Sequence, residues 1–427
     1  MTWAPPLSTV FAVQDSLSIL WLIIGLLSMP EEINVDDSMD ELLSGCEIIE
    51  VSDYCKAVVR GKAFPTVISF SSVNTEPGRF KPFKAIAEAT CNIIFVNDNG
   101  NNWYIKGISG VSDGYVESAR SIISLGREIG NGKVITLGTS MGAFGALLYA
   151  AVGNADACFS FGPEVLLELP GSRSAQHKVE DAFLSCSDIF QLIKNSTSSF
   201  YVFVSECDEV DLVNSSALSK LSNVKCVSVR GVEHPGIQVF AEGIGVAAML
   251  DLAFRDPERV LSFDQRGNIL KDESLIKELW VAAGIKREKK YKAYLDYLRL
   301  SFAEFSYSSL YSYRLAEAFY RNGKQAEATK LLDRAIRLDD LQFEAYNLLG
   351  VIQRRNRQYE QAELNFIKSL KISPRNAFAH HNLGLLQMDL GRVADAVHSF
   401  EKAVGINRGN AGFAKSLSEA QERLYSS

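Results

Sequence analysis

Five residues, Gly138-Thr139-Ser140-Met141-Gly142, set a serine between two glycines in the pattern G-x-S-x-G. Before them "KVITL" (133–137) is a short apolar, β-branched run, and after them "AFGALLYAA" (143–151) is apolar on nearly every side. The periods predict a buried strand that turns at once into a core-facing helix. Such a turn forces its central residue into a strained backbone, and glycines two positions either side remove side chains that would collide. The Ser140 hydroxyl is then exposed at the top of a sheet. The helix N-terminus behind it offers N–H groups and a positive dipole end to a developing oxyanion. The chemistry this predicts is attack on an acyl carbonyl.

A serine nucleophile needs a histidine base and an acid, here in the chain order Ser, Asp or Glu, His. Of five histidines, His380, His381 and His398 lie in the C-terminal tail. His234 follows the strand-like run "VKCVSV" (224–229), where a loop past a strand's end can reach the serine. Its rival His177 sits in the polar stretch "PGSRSAQHKVED" with no strand before it. The run "FYVFV" (200–204) reads as the preceding strand. Asp208 in the loop just after it is the expected acid, with Asp211 and Glu206 as rivals.

With "GTSMG", "SECD" after one strand and "GVEHPG" after the next, residues 45–262 resemble the α/β-hydrolase superfamily. Apolar strands at 64–72, 91–100 and 155–164 alternate with helical stretches at 80–90 and 115–130. That alternation predicts an α/β domain with a mostly parallel sheet and helices on both faces. The resemblance implies a second oxyanion N–H from the loop after the first of these strands. That loop reads "SFSSVNTEPGRF" and lacks the His-Gly pair of many lipases and esterases. The backbone candidates are Met141, Ser72 and Val73. The polar loop 97–107 offers Asn97, Asp98, Trp103 and Tyr104 as walls for the acyl or sugar side of a pocket. Residues 167–198 are expected to form a modest cap, and no long apolar lid suits a lipid interface.

The tail repeats. Windows of 34 residues starting at Ser309, Phe343 and Ala377 stay in register. Position eight reads Ala316, Gly350 and Gly384, and position twenty Ala328, Ala362 and Ala396. Small residues there let paired helices approach closely. Residues 309–410 thus resemble tetratricopeptide repeats, an all-α solenoid, with 411–427 as a capping helix and 263–308 as a helical linker. Such arrays bind proteins on a concave face, here including Tyr313, Asn347, Arg354 and His381. Position five carries no lysine, which disfavours an acidic chaperone tail as partner.

The chain is 47% hydrophobic and 22% charged over 427 residues, which predicts globular domains. Its net charge of −7 argues against a general nucleic-acid binder. Seven cysteines without a C-x-x-C pair fit buried thiols in a reducing, cytoplasmic setting. No metal-ligand spacing is evident, and no cofactor is expected. The apolar stretch 16–29, within an N-terminal extension of residues 1–44, is shorter than the roughly 20 residues of a spanning helix. A helix docked on the domain is favoured over a peripheral membrane anchor or a targeting segment. The expected activity is a serine esterase or deacylase using Ser140, His234 and Asp208 on an acyl ester of a glycan or small metabolite. Its alternatives are a catalytically silent hydrolase-fold scaffold, whose repeats bind a partner protein, and an acyltransferase.

Overall fold

The apolar runs of the first half of the chain become strands β1 (Glu47–Ser52), β2 (Cys55–Val59), β3 (Thr66–Phe70), β4 (Asn92–Val96), β7 (Val134–Thr139), β8 (Ala157–Phe161), β9 (Ser199–Ser205) and β10 (Val224–Val229). Two short strands, β5 (Gly107–Ile108) and β6 (Ser112–Asp113), make a separate hairpin. The computed structural model describes residue 43 and residues 45–425, apart from 82, 99 and 178–185. The stretch 16–29 therefore lies outside the described residues. Among the described residues no helix is long and apolar enough to cross a membrane.

The main sheet runs β1-β2-β4-β3-β7-β8-β9-β10 and is mixed. Neighbours from β4 through β10 pair in parallel. The β1–β2 hairpin adds antiparallel pairing at one edge. Every residue of β3, β4, β7 and β8 is buried. Both faces of the central sheet are therefore covered, which is why these strands read as unbroken apolar runs rather than as alternation. Stacked rings of Phe161 and Phe203, with Phe240 edge-on to both, tie β8 and β9 together.

From residue 273 the chain is helical. Helices Glu273–Arg287 and Tyr291–Phe305 lead into pairs at Ser309–Arg321/Gln325–Leu338, Phe343–Arg355/Tyr359–Ile372 and Ala377–Asp389/Val393–Ile406. Helix Ala411–Tyr425 closes the stack. Close approach explains the small residues: a Cβ on Gly350 would lie 2.7 Å from the Phe366 ring, and one on Gly384 2.6 Å from Phe400. Residues 45–427 form one compact unit. A single apolar cluster runs from Leu212, beside β9, through Leu275, Leu279 and Leu298 to Leu315 and Ala316 in the first repeat.

Candidate active site

Strand β7 lies between β3 and β8, and the chain reverses character at Ser140. Its backbone sits at φ 55°, ψ −120°, and helix Met141–Gly153 begins at the next residue. Positive φ is costly for a residue with a Cβ, and such strain persists only where the surroundings enforce it. The enforcement is visible. A Cβ on Gly138 would collide with the Gly142 carbonyl, and one on Gly142 with the carbonyls of Phe70 and Ser71 at the end of β3. The Ser140 N–H donates to Phe161 O on β8 at 2.8 Å. Its carbonyl accepts from Ala143 and Phe144. The N–H groups of Met141 and Gly142 then stand in the first turn, where a helix has no carbonyl of its own to offer them. Ser72 and Val73 lie in the loop that leaves β3 beside Gly142.

His234 comes from the loop after β10. Its Nε2 lies 2.9 Å from Ser140 Oγ, and its Nδ1 lies 2.8 and 3.0 Å from the two carboxylate oxygens of Asp211. A carboxylate only accepts, so Nδ1 carries the proton and Nε2 is free to accept from the serine hydroxyl. The acid on the histidine is therefore Asp211 and not the expected Asp208. Asp208 caps helix Glu209–Leu218, accepting from the Asp211 N–H at 3.0 Å with one oxygen. Its other oxygen accepts from Arg173 at 2.6 Å. The rival Glu206 accepts from Ser228 Oγ and the Ile269 N–H with one oxygen, Oε1, away from His234.

One arginine serves three acids. Arg173 also bonds the buried Glu164 at 3.3 Å and lies 3.7 Å from Asp211 Oδ1. Burial raises the Asp211 carboxyl above the usual range, against the pull of His234 and Arg173. For Asp208 burial pushes up, but Arg173 and His234 outweigh it and hold the carboxyl low. Gly162, at φ 63° after β8, makes room for the base. A Cβ there would sit 2.7 Å from His234 Cε1. Neither Arg173, Glu164 nor Gly162 was legible as part of the site. The glycine in "SFGPE" after a strand was the one available signal. Asp208, Asp211 and His234 hold ligand-type atoms within 4.8 Å of one another. A cation there would meet the Arg173 guanidinium, and Nδ1 is already committed to Asp211.

The loop after β4 is framework rather than an open pocket wall. Asn97 is buried, and its amide donates to the carbonyls of Thr75, Glu76 and Arg79. Asp98 is buried too and accepts from the Tyr104 N–H. Burial lifts its carboxyl to about 6. The Tyr104 hydroxyl donates to Ser71 O at 2.8 Å. Trp103 is buried against His177, with ring centroids 5.9 Å apart. Buried polar atoms must find partners; for Asn97 and the Tyr104 hydroxyl these are carbonyls of the loop that carries Ser72 and Val73, and for Asp98 an N–H of its own loop. A cavity of about 590 Å³ lies elsewhere, along β10 between Lys225, Glu258 and Arg266.

The expected partner face of the repeats is largely committed. Tyr313 is buried beneath the Arg314 guanidinium, 5.0 Å from its ring centre. Asn347 accepts from Asn382 at 3.0 Å, and Arg354 pairs with Asp389 at 2.8 Å. His381 stacks on Phe413 at 4.8 Å and reaches Ser416 of the capping helix. The linker and sheet domain pack against the first repeat, so Tyr313 is not open to a peptide.

Residues 313–377 and 379–410 match the tetratricopeptide repeat family. Over 97 residues the chain is 32% identical to anaphase-promoting complex subunit 3 of Schizosaccharomyces pombe, which covers 23% of this chain and 15% of that one. Solved structures it resembles include MamA of Desulfovibrio magneticus (18% identical, 34% of this chain and 82% of that chain, TM-score 0.30). Another is PilF of Pseudomonas aeruginosa (21% identical, 36% and 72%, TM-score 0.33). The C-terminal helices are tetratricopeptide repeats, a module that presents surfaces for protein–protein interaction.

Proposed function

We propose that the sheet domain is a serine hydrolase of the α/β-hydrolase type, carried on a repeat module that binds protein. One observation supports this above the rest: Ser140, in a strained strand-to-helix turn, bonds His234, which bonds a fully buried Asp211. In the reaction Ser140 Oγ attacks an acyl carbonyl while His234 Nε2 takes the hydroxyl proton. Asp211 holds the ring by Nδ1–H and stabilises the imidazolium. The Met141 N–H, and one from Ser72 or Val73, would receive the oxyanion. His234 then returns its proton to the leaving alcohol or thiol, and water hydrolyses the acyl-enzyme by the same route. The substrate class is an ester or thioester of a small acyl group.

A second reading is a silent hydrolase-like scaffold whose repeats do the work. Two observations favour it. The tetratricopeptide family matches fall on the repeats, and Ser140 is only 9% exposed. Labelling with a fluorophosphonate probe separates the readings. Stoichiometric modification at Ser140, absent in Ser140→Ala, supports the hydrolase. An unlabelled, folded wild type leaves the scaffold.

A further inference from the structure

The loops that carry the acid and the base both rest on the repeat array. Arg314, on helix Ser309–Arg321, is buried and donates three side-chain hydrogen bonds. Its Nε donates to Glu209 Oε1 at 2.6 Å and its terminal nitrogens to Cys207 O at 2.8 Å and Glu344 Oε1 at 3.2 Å. Cys207 and Glu209 flank Asp208, the cap that accepts the Asp211 N–H. The arginine thus grips the chain on both sides of the residue that orients the acid.

The same loop is tied to the base. Cys207 Sγ donates to Val232 O at 3.0 Å, and Ser205 Oγ donates to the same carbonyl at 2.7 Å, two residues before His234. The base loop also leans on the array directly. Arg230 pairs with Asp339 at 2.8 Å, and Gly231, at φ 74°, packs where a Cβ would meet Ile372 and Leu341 of the repeats at 3.1 and 3.3 Å.

From this clamp we infer that Arg314 is a positioning residue for the Ser140–His234–Asp211 chain, so that the first repeat helix sets the geometry of the acid. The inference rests on the hydrolase reading. Held from Cys207 and Glu209, the start of helix Glu209–Leu218 cannot rotate, and Asp211 keeps both oxygens on Nδ1. Without the clamp the carboxylate drifts, and a misplacement of about 1 Å costs on the order of 10²-fold in rate.

The test compares full-length wild type, Arg314→Met and, as a charge control, Arg392→Met, whose arginine pairs with Glu363 in the second and third repeats. Two signals are read. One is the downfield proton resonance of His234 Nδ1–H, identified by its loss in His234→Ala. The other is the split of kcat and KM on 4-nitrophenyl acetate. Arg314→Met should broaden or lose the resonance and lower kcat roughly 10- to 100-fold, with KM within about twofold. Arg392→Met should match wild type. A folded Arg314→Met with the wild-type resonance and kcat overturns the proposal. If that variant does not fold, Glu209→Ala loosens the same clamp from the sheet side and leaves Arg314 paired with Glu344. An unchanged resonance and kcat there overturn it equally. If wild type neither hydrolyses the ester nor takes the probe, the hydrolase reading fails, and the resonance alone still decides whether Arg314 positions the ring.

Discussion

Replacing each of the two nearby aspartates by asparagine should give losses of very different size. In Asp211→Asn the new amide faces His234 Nδ1, which now lies 2.8 and 3.0 Å from the carboxylate oxygens. If the NH₂ takes that place it donates to Nδ1, the ring proton moves to Nε2, and Ser140 loses its acceptor. In the serine-protease triad that tautomer error costs about 10⁴ in kcat, or roughly 5.5 kcal/mol at 1.36 kcal/mol per decade. A loss of about 10³–10⁴ is expected here. Asp208→Asn is milder. Asparagine caps a helix as well as aspartate does, so the bond to the Asp211 N–H survives. What is lost is the contact with Arg173, which keeps Glu164 and Asp211 as partners. The cost is about 1–2 kcal/mol of stability and less than about tenfold in kcat. Steady-state hydrolysis of 4-nitrophenyl acetate, with melting curves, reads both. If Asp208→Asn falls as far as Asp211→Asn, or if Asp211→Asn keeps more than a tenth of the wild-type rate, the assignment of the acid is wrong.

Ser140→Ala should abolish hydrolysis and probe labelling while the melting temperature holds or rises by a few degrees, because it removes only a hydroxyl from a strained turn; residual activity above about a hundredth of wild type contradicts this. Gly162→Ala puts a methyl 2.7 Å from His234 Cε1 and should cut kcat about 10²-fold without loss of the circular dichroism signal of the fold. Burial and the nearby Glu344 lift the Glu233 carboxyl from 4.5 to about 7, with Arg375 opposing. A raised carboxyl contributes stability below about pH 4.5 and loses it as pH rises through about 7, so Glu233→Gln should be more stable than wild type at pH 8 by up to about 3 kcal/mol and gain little at pH 5; urea unfolding at the two pH values checks the sign.

The repeats were legible because their rule is local. Ala316, Gly350 and Gly384 recur 34 residues apart where two helices touch, and all of the alanines at position twenty are buried. The turn at Ser140 was legible for a similar reason, since Gly138 answers a clash with the Gly142 carbonyl inside the five-residue motif, although Gly142 itself makes room for the distant carbonyls of Phe70 and Ser71. What stayed hidden depends on partners far along the chain. Arg314 reads as an ordinary helix arginine, yet it bonds residues more than a hundred positions earlier. The antiparallel hairpin β1–β2 is not legible because β1 is mostly exposed at the sheet edge and lacks an unbroken apolar run. The polar loop 97–107 reads as a pocket wall because polarity does not say whether a side chain meets solvent or a buried carbonyl. Asn97 and Asp98 meet carbonyl and amide groups of the backbone.

The choice between Asp208 and Asp211 turns on a helix start. Read as a loop after β9, "ECDEVD" favours the first aspartate past the strand. The helix, however, begins at Glu209, so the two aspartates occupy the cap and the third helical position. A cap acid accepts the N–H of that third residue, which uses one Asp208 oxygen. Arg173 uses the other, and it arrives from the segment 167–177, whose place in the fold the local sequence does not reveal. Asp208 thus has both oxygens occupied before the histidine arrives. Asp211, held by its own backbone N–H, points both of its oxygens at Nδ1. A carboxylate three residues further on, with a cap acid in front of it and an arginine to satisfy that cap, is the better-placed partner for His234.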